Sequence, residues 1–188
     1  MIFTETTLPG AYLIDIQPLE DARGFFARAW CQREFEARGL AARMVQTNIS
    51  FNYHKGTLRG MHYQLAPYSE VKIIRCIRGA IYDVIIDLRP DSPTYLQWLG
   101  VELTAETHRM LYVPETFAHG FQTTADATEV TYHVSQFYTP AAEQGLCWND
   151  PAVGIEWPLA VSVMSEKDQS WAPFVASRQE LQRPQVQN

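Results

Sequence analysis

Apolar and polar residues alternate over several short stretches of the chain. From Glu129 to Ser135, the side chains of Val130, Tyr132 and Val134 fall on one face and polar side chains on the other, and Gln97 to Leu103 alternates in the same way. A period of two residues is typical of β-strands that are buried on one face. The pattern therefore predicts a strand over each stretch.

Two richer apolar stretches lie near the middle of the chain. Val71 to Ile77 and Ala80 to Leu88 are rich in Ile and Val, and Arg78-Gly79 between them predicts a hairpin. The best helical stretch is short, from Gln32 to Arg38, with Gly39 placed to end it. Many short strands with little helix indicate an all-β sandwich or barrel.

Length and composition favour a single globular domain. We expect that domain over residues 1–176 of the 188, with a polar tail over 177–188. A net charge of -6 argues against a general nucleic-acid binder. No long apolar run and no signal peptide is recognisable, so we expect no membrane span and a cytoplasmic protein. Three scattered cysteines without a CxxC pair agree with a reducing compartment.

Several common catalytic and cofactor motifs are missing from the sequence. There is no GxGxxG, no GxxxxGK[ST] and no GxSxG, which argues against a tightly bound dinucleotide, ATP chemistry and a serine-hydrolase elbow. None of the five histidines forms an HxH or HExxH pattern. The sequence therefore offers no close-spaced metal motif.

Three segments concentrate polar side chains within strand-like apolar sequence. They run from Asp21 to Phe26, from Asn48 to Gln64 and from Val113 to Phe121, and each pairs a glycine with an Arg or His. Glycine lets the backbone approach a neighbour or ligand closely. A single such segment is most simply a turn with a solvated charge, but three together favour a functional site.

Two specific motifs lie within these segments, Leu58-Arg59-Gly60-Met61-His62-Tyr63-Gln64 and Phe117-Ala118-His119-Gly120-Phe121. Three more lie elsewhere in the chain: Asp87-Leu88-Arg89 with Ser92-Pro93-Thr94, Trp148-Asn149-Asp150-Pro151, and Met164-Ser165-Glu166-Lys167-Asp168. Together they resemble the dTDP-4-dehydrorhamnose 3,5-epimerase family, over nearly the whole core of the chain. The resemblance implies a cupin, or jelly-roll, barrel with short peripheral helices. It also implies an isomerase that needs no metal or other cofactor.

The implied reaction removes a proton at C3, C5 or both of a nucleoside-diphosphate 4-keto-6-deoxyhexose and returns one to the opposite face. Such chemistry needs a base, an acid and a group that stabilises the enolate. By resemblance His62 is the base, Asp168 its partner, Tyr132 the acid and Lys72 the enolate-stabilising group. From the residues alone, each has a plainer interpretation. His62 and Tyr132 suit core packing, Asp168 suits a helix cap or surface charge, and Lys72 suits either a strand edge or a polar barrel interior.

The resemblance also implies seven substrate-binding residues. They are Arg23, Phe26, Gln46, Asn48, Arg59, His119 and Tyr138. In the family the residues matching Arg23 and Phe26 come from a partner subunit, so a homodimer with composite sites is implied. Ordinary turns and core packing are the alternative for these positions, especially for Phe26.

The spacing of Arg59 and His62 poses a geometric problem. Side chains three residues apart in a regular strand point to opposite faces. If both serve one site, the strand must be irregular between them, and Gly60 can host a bulge. We therefore predict a break in the regular ladder across residues 58–63.

At three positions the chain departs from the family pattern, with Arg28 replacing a Glu, Asn52 a Ser and His133 a Lys. Arg28 corresponds to a position near the thymine, so a CDP-linked sugar is a hypothesis beside a dTDP-linked one. The sequence leaves open whether C3, C5 or both are epimerised. Two other classes stay open: a noncatalytic sugar-nucleotide-binding cupin, and a metal-dependent cupin, which is disfavoured because Gln64 stands where an HxH would place its second His.

Overall fold

The structure is a computed structural model that describes residues 1–174. The predicted end of the domain at residue 176 and the predicted tail over 177–188 lie outside the described residues. The strands are β1 (Ile2–Glu5), β2 (Tyr12–Asp15), β3 (Leu19–Asp21), β4 (Gly24–Phe26), β5 (Gln46–Asn52), β6 (Leu58–Gln64), β7 (Lys72–Arg78), β8 (Ala80–Asp87), β9 (Trp98–Thr104), β10 (Met110–Val113), β11 (Phe117–Thr123), β12 (Thr128–Val134) and β13 (Glu143–Gly145). Residues 1–174 also include two short α-helices, α1 (Gln32–Glu36) and α2 (Glu166–Gln169), and a short 3-10 helix at Pro140–Ala142.

Two antiparallel sheets form the body of the molecule. The first has the order β1-β2-β10-β7-β12-β5 and the second has the order β13-β6-β11-β8-β9, while β3 and β4 form a separate hairpin. Apolar side chains from both sheets meet in one buried cluster, with Ile74 and Val130 from the first and Ile85 and Phe121 from the second. The prediction of an all-β fold is confirmed, as are the strands β9 and β12.

The predicted hairpin at Arg78-Gly79 is wrong. β7 pairs with β10 and β12, whereas β8 pairs with β9 and β11, so the two strands belong to different sheets. Gly79 makes the crossing, with a φ of +75° and a backbone so close to Thr128 that a Cβ would lie 2.4 Å from its Oγ1. Ile74 of β7 and Ile81 of β8 both enter the shared core. The two apolar strands therefore contribute to one core from different sheets instead of pairing at their edges.

Helix α1 ends at Glu36 and is therefore two residues shorter than the predicted Gln32 to Arg38. The amides of Arg38 and Gly39 each donate to a carbonyl three residues earlier, so the last turn tightens before the predicted end. Gly39, predicted to end the helix directly, follows this turn two residues after the C-cap Ala37 and takes a φ of +69°. The fully buried Phe35 anchors α1 to the outer face of the first sheet.

Candidate active site

Two adjoining cavities open between the sheets, and three predicted site residues line both. The first cavity, of about 290 Å³, includes Arg59 and His119 in its walls. The second, of about 370 Å³, is lined by Gln46 and Asn48 at the other end of β5 and by Tyr138. The side chains common to the two cavities are His62, Lys72 and Tyr132. The place where the cavities meet is therefore the natural position for a reacting group.

His62 and Asp168 form a close pair at this junction. His62 Nε2 lies 2.6 Å from Asp168 Oδ1, with the imidazole 33% exposed and the carboxylate 6% exposed. Burial disfavours the charged carboxylate, but the bond to His62 and the Gly60 N–H donated to Oδ2 outweigh it and lower the pKa of Asp168. The carboxylate is therefore ionised and its orientation is fixed.

The chain brings Asp168 to β6 by tying the segment before α2 to the start of that strand. Val163 forms a parallel bridge with Thr57, and the Leu58 N–H donates to the Val163 carbonyl at 2.9 Å. Ser165 then caps α2 by accepting from the Asp168 N–H. Asp168 is therefore neither the cap nor a surface charge.

The predicted break in β6 is confirmed. His62 pairs with His119, but Arg59 pairs with Phe121, so the register shifts by one residue between them. At the shift Gly60 has a φ of +138°, and a Cβ on it would lie 2.6 Å from the Cα of Gly120. Because of this bulge, Arg59 and His62 line the same cavity although they are three residues apart.

Lys72 points into the interior, which is one of the two orientations that the sequence left open. It shares the inner face of β7 with Ile74 and is only 7% exposed. Its Nζ lies 3.2 Å from Glu70 Oε1 and donates to the His62 carbonyl at 3.3 Å. An ammonium group is thus held at the floor of both cavities.

Tyr132 lies on the inner face of β12 beside the buried Val130 and Val134, as the alternation predicts. Within residues 1–174 its hydroxyl has no hydrogen-bond partner, and the ring lines both cavities. Burial and the negative charge of Glu70 raise the pKa of Tyr132, against the opposing charge of Arg59. The phenol is therefore protonated at neutral pH and available to a ligand.

His119 forms a second His–Asp pair in the first cavity. Its Nε2 lies 2.7 Å from Oδ1 of Asp83, which is completely buried on β8. The other oxygen of that carboxylate has no partner in the described part of the chain. The second pair is thus more deeply enclosed than the first and less completely hydrogen-bonded.

Three predicted binding residues gather in the second cavity: Gln46, Asn48 and Tyr138. Gln46 Oε1 accepts from the Tyr138 N–H at 2.7 Å. The Tyr138 hydroxyl donates to Glu143 Oε2 at 2.5 Å, and its ring is exposed. This end of the site offers amide groups and an open aromatic face.

Arg23 and Phe26 are not brought to the site within one chain. Both lie on the exposed β3–β4 hairpin, and neither lines the first or the second cavity. The Arg23 guanidinium instead pairs with Asp21.

Sequence reasoning missed four polar residues that support the site. They are Asn52, Glu70, Asp83 and Glu143. For Asp83 a signal was present, because alternation along β8 puts it on the same face as Ile81 and Ile85, and a carboxylate on an apolar face needs a partner. Glu70 and Glu143 carried no comparable signal.

Residues 1–174 contain neither a cluster of potential metal ligands nor a candidate membrane-spanning helix. No group of three or more His, Cys, Asp or Glu side chains there is arranged to hold a metal ion. The same residues include no helix long and apolar enough to cross a membrane.

Comparison with known proteins places this arrangement in a family. The family model for dTDP-4-dehydrorhamnose 3,5-epimerase matches residues 5–176. An enzyme of that name from Shigella flexneri is 41% identical over 172 residues, covering 91% of this chain and 94% of its own.

Solved structures agree with the sequence comparison. The dTDP-4-dehydrorhamnose 3,5-epimerase of Bacillus anthracis, solved with TDP and PPi bound, is 40% identical with a TM-score of 0.88 and covers 92% of this chain and 98% of that one. ChmJ, a 3'-monoepimerase from Streptomyces bikiniensis solved with dTDP-quinovose, is 30% identical with a TM-score of 0.84, covering 94% and 89%. The epimerase relatives have the cupin jelly-roll fold, which confirms the predicted fold class. The chain belongs to the dTDP-4-dehydrorhamnose 3,5-epimerase family.

Proposed function

We propose that this protein epimerises a nucleoside-diphosphate 4-keto-6-deoxyhexose at the carbons next to the C4 ketone, in deoxysugar biosynthesis. The observation that carries the proposal is the His62–Asp168 pair, 2.6 Å apart at the junction of the two cavities. Lys72 and Tyr132 line the same junction. A base, a cation and a protonated phenol thus surround one position, as carbon-acid chemistry requires.

His62 is suited to take the proton. Asp168 occupies the Nε2 side of the ring, and an ionised carboxylate favours the tautomer in which Nε2 carries the hydrogen. Nδ1 then keeps its lone pair and has no protein partner within residues 1–174. It can accept the proton from C3 or C5, and Asp168 stabilises the imidazolium that forms.

Lys72 is suited to stabilise the enolate. When the C–H bond breaks, its electron pair forms a double bond to C4. The π pair of the C4 carbonyl moves to its oxygen, which becomes negatively charged. An ammonium group withdrawn from bulk water stabilises that charge far better than water does. Lys72 is 7% exposed, and Glu70 holds its Nζ near the His62 backbone.

Tyr132 is suited to return a proton to the opposite face. Its phenol is protonated because burial raises its pKa. After the transfer, the Tyr132 phenolate and the His62 imidazolium regain their starting forms by proton exchange with water. The hydrogen that enters the sugar therefore originates from solvent.

The remaining residues hold the substrate in this proposal. Arg59 offers N–H donors to the diphosphate in the first cavity, and His119 lines the same cavity beside it. Gln46, Asn48 and Tyr138 face the nucleotide end in the second cavity, where an exposed aromatic face can stack on a base.

The proposal extends to a homodimer in which Arg23 and Phe26 complete the site of the partner subunit. Supporting it, both residues are exposed on the β3–β4 hairpin. Apolar side chains of the edge strand β5, Ile49 and Phe51, are also exposed, and dimerisation would cover them.

Mixing His62→Ala with Arg23→Ala protein tests the composite site directly. Composite sites predict recovery to about a quarter of wild-type activity, because half of the dimers are mixed and each has one intact site. Sites within one chain predict no recovery.

Proton exchange in D2O tests the reaction itself. The protein is incubated with 4-keto-6-deoxyglucose linked to dTDP and, separately, to CDP, and the C3 and C5 proton signals are followed by NMR.

With the dTDP-linked sugar we expect the proton signals at both C3 and C5 to be lost. Loss at C3 alone would indicate a monoepimerase, the activity named for the relative ChmJ. Preference for the CDP-linked sugar would give Arg28 a role at the base. No exchange with either would contradict the proposal and favour a noncatalytic sugar-nucleotide-binding cupin.

A further inference from the structure

A buried amide holds the guanidinium of Arg59 in place. The Arg59 Nε donates to Asn52 Oδ1 at 2.7 Å. Asn52 ends the edge strand β5 and is only 2% exposed, whereas Arg59 lies in the wall of the first cavity. A buried acceptor therefore fixes one edge of an exposed cationic side chain.

Asn52 is itself anchored by the sheet. Its Nδ2 donates to the Thr128 carbonyl at 3.3 Å, and Thr128 is its register partner on β12. A second, longer bond joins Nδ2 to the Ser50 carbonyl at 3.4 Å. The amide cannot rotate without breaking these bonds, so its Oδ1 keeps pointing at Arg59.

The bond to Nε leaves the far end of Arg59 available. Neither terminal nitrogen has a protein partner within residues 1–174. Guanidinium groups bind phosphate oxygens best through two parallel N–H bonds, and fixing a side chain beforehand reduces the entropy lost on binding. The guanidinium is thus prepared for an end-on, two-pronged contact with an anion.

We propose that Asn52 is a positioning residue that presets Arg59 for the diphosphate of the substrate. This inference rests on the proposed function, because it takes the anion to be the diphosphate of a sugar nucleotide. Asn52 would act on affinity for the phosphate-bearing ligand and not on the proton transfer at His62.

A double-mutant cycle tests this role. The Kd values of dTDP and thymidine are measured by calorimetry or competition for wild type, Asn52→Leu, Arg59→Ala and the double variant, with CDP and cytidine in parallel. The positioning role predicts that Asn52→Leu weakens dTDP binding about three- to tenfold, the range of a typical hydrogen bond, and changes thymidine binding less than twofold. In the Arg59→Ala background, Asn52→Leu should change dTDP binding less than twofold. KM should rise by a similar factor while kcat stays within twofold.

Asn52→Ala, which differs in shape, should give the same selectivity. Gln122→Leu is the matched control, because it removes another fully buried amide, whose bonds within residues 1–174 are all to Leu159. It should not alter the ratio of dTDP to thymidine affinity. Unchanged dTDP affinity in Asn52→Leu, or an equal loss with and without Arg59, would overturn the inference. If wild type binds neither dTDP nor CDP, the proposed function fails first.

Discussion

Two His–Asp pairs stand side by side on neighbouring strands of one sheet, and their surroundings differ. His62 of β6 and His119 of β11 are register partners, and their bonds to carboxylates are almost equal, 2.6 and 2.7 Å. Yet the His62 imidazole is 33% exposed, whereas the His119 imidazole is only 9% exposed. Equal bond lengths therefore do not make the two pairs equivalent.

The carboxylates differ more than the imidazoles. Both oxygens of Asp168 have partners, His62 and the Gly60 N–H, whereas one oxygen of the completely buried Asp83 has none. A carboxylate with both oxygens satisfied can stabilise a forming imidazolium without moving. On these grounds we propose proton transfer for the His62–Asp168 pair and ligand binding for the His119–Asp83 pair.

Replacing the proposed base should have the largest effect. His62→Ala is expected to lower kcat by about 10³–10⁴-fold, because general-base catalysis contributes factors of this order. The Kd of dTDP should change little, since the imidazole acts on the sugar carbons. Steady-state kinetics and dTDP titration measure both quantities. A variant with kcat within tenfold of wild type would assign the base to another residue.

Asp168→Asn should have the next largest effect, a loss in kcat of about 10²–10³-fold. The amide would donate to Nε2 and so favour the tautomer with hydrogen on Nδ1, which cannot accept a proton from the sugar. Thermal unfolding serves as the control for folding. A fully active, correctly folded variant would show that the pair is only structural.

Asp83→Asn tests the other half of the comparison. We expect KM to rise about tenfold, because loss of one charge-assisted hydrogen bond loosens His119. The value of kcat should stay within about threefold, in contrast to Asp168→Asn. A kcat loss as large as that of Asp168→Asn would make the two pairs equivalent in catalysis.

Glu70→Gln should produce the smallest effect, a shift in the pH profile. The charge of Glu70 helps to raise the pKa of Tyr132, after burial. Removing that charge lowers the Tyr132 pKa, so the protonated phenol is lost at a lower pH. The alkaline limb of kcat should therefore move to lower pH, as a pH–rate series will show. A shift to higher pH, or no shift, would contradict the assignment of Tyr132.

The sequence predicted elements whose signals are local. Alternation placed Tyr132 on the inner face of β12 beside Val130, and the three-residue spacing of Arg59 and His62 led to the bulge at Gly60. The partner of β7 could not be predicted in this way. Arg78-Gly79 reads as a tight turn, and only tertiary packing shows that the chain crosses to the other sheet there.

Proximity over long separations was the other limit. Asp168 is 106 residues from His62, so only the family resemblance suggested their contact. Glu70 and Asn52 were missed because each acts through another side chain, Lys72 or Arg59. Such supporting bonds depend on side-chain positions that no residue pattern specifies.

The most direct test of the account compares the two histidines in one exchange experiment. Initial rates of hydrogen–deuterium exchange at C3 and C5 are measured by NMR in D2O for wild type, His62→Ala and His119→Ala, with the nucleotide sugar at saturation. The account predicts that exchange is abolished in His62→Ala and persists within about tenfold of wild type in His119→Ala. Persisting exchange in His62→Ala, with loss in His119→Ala, would contradict it and assign the base to the other pair.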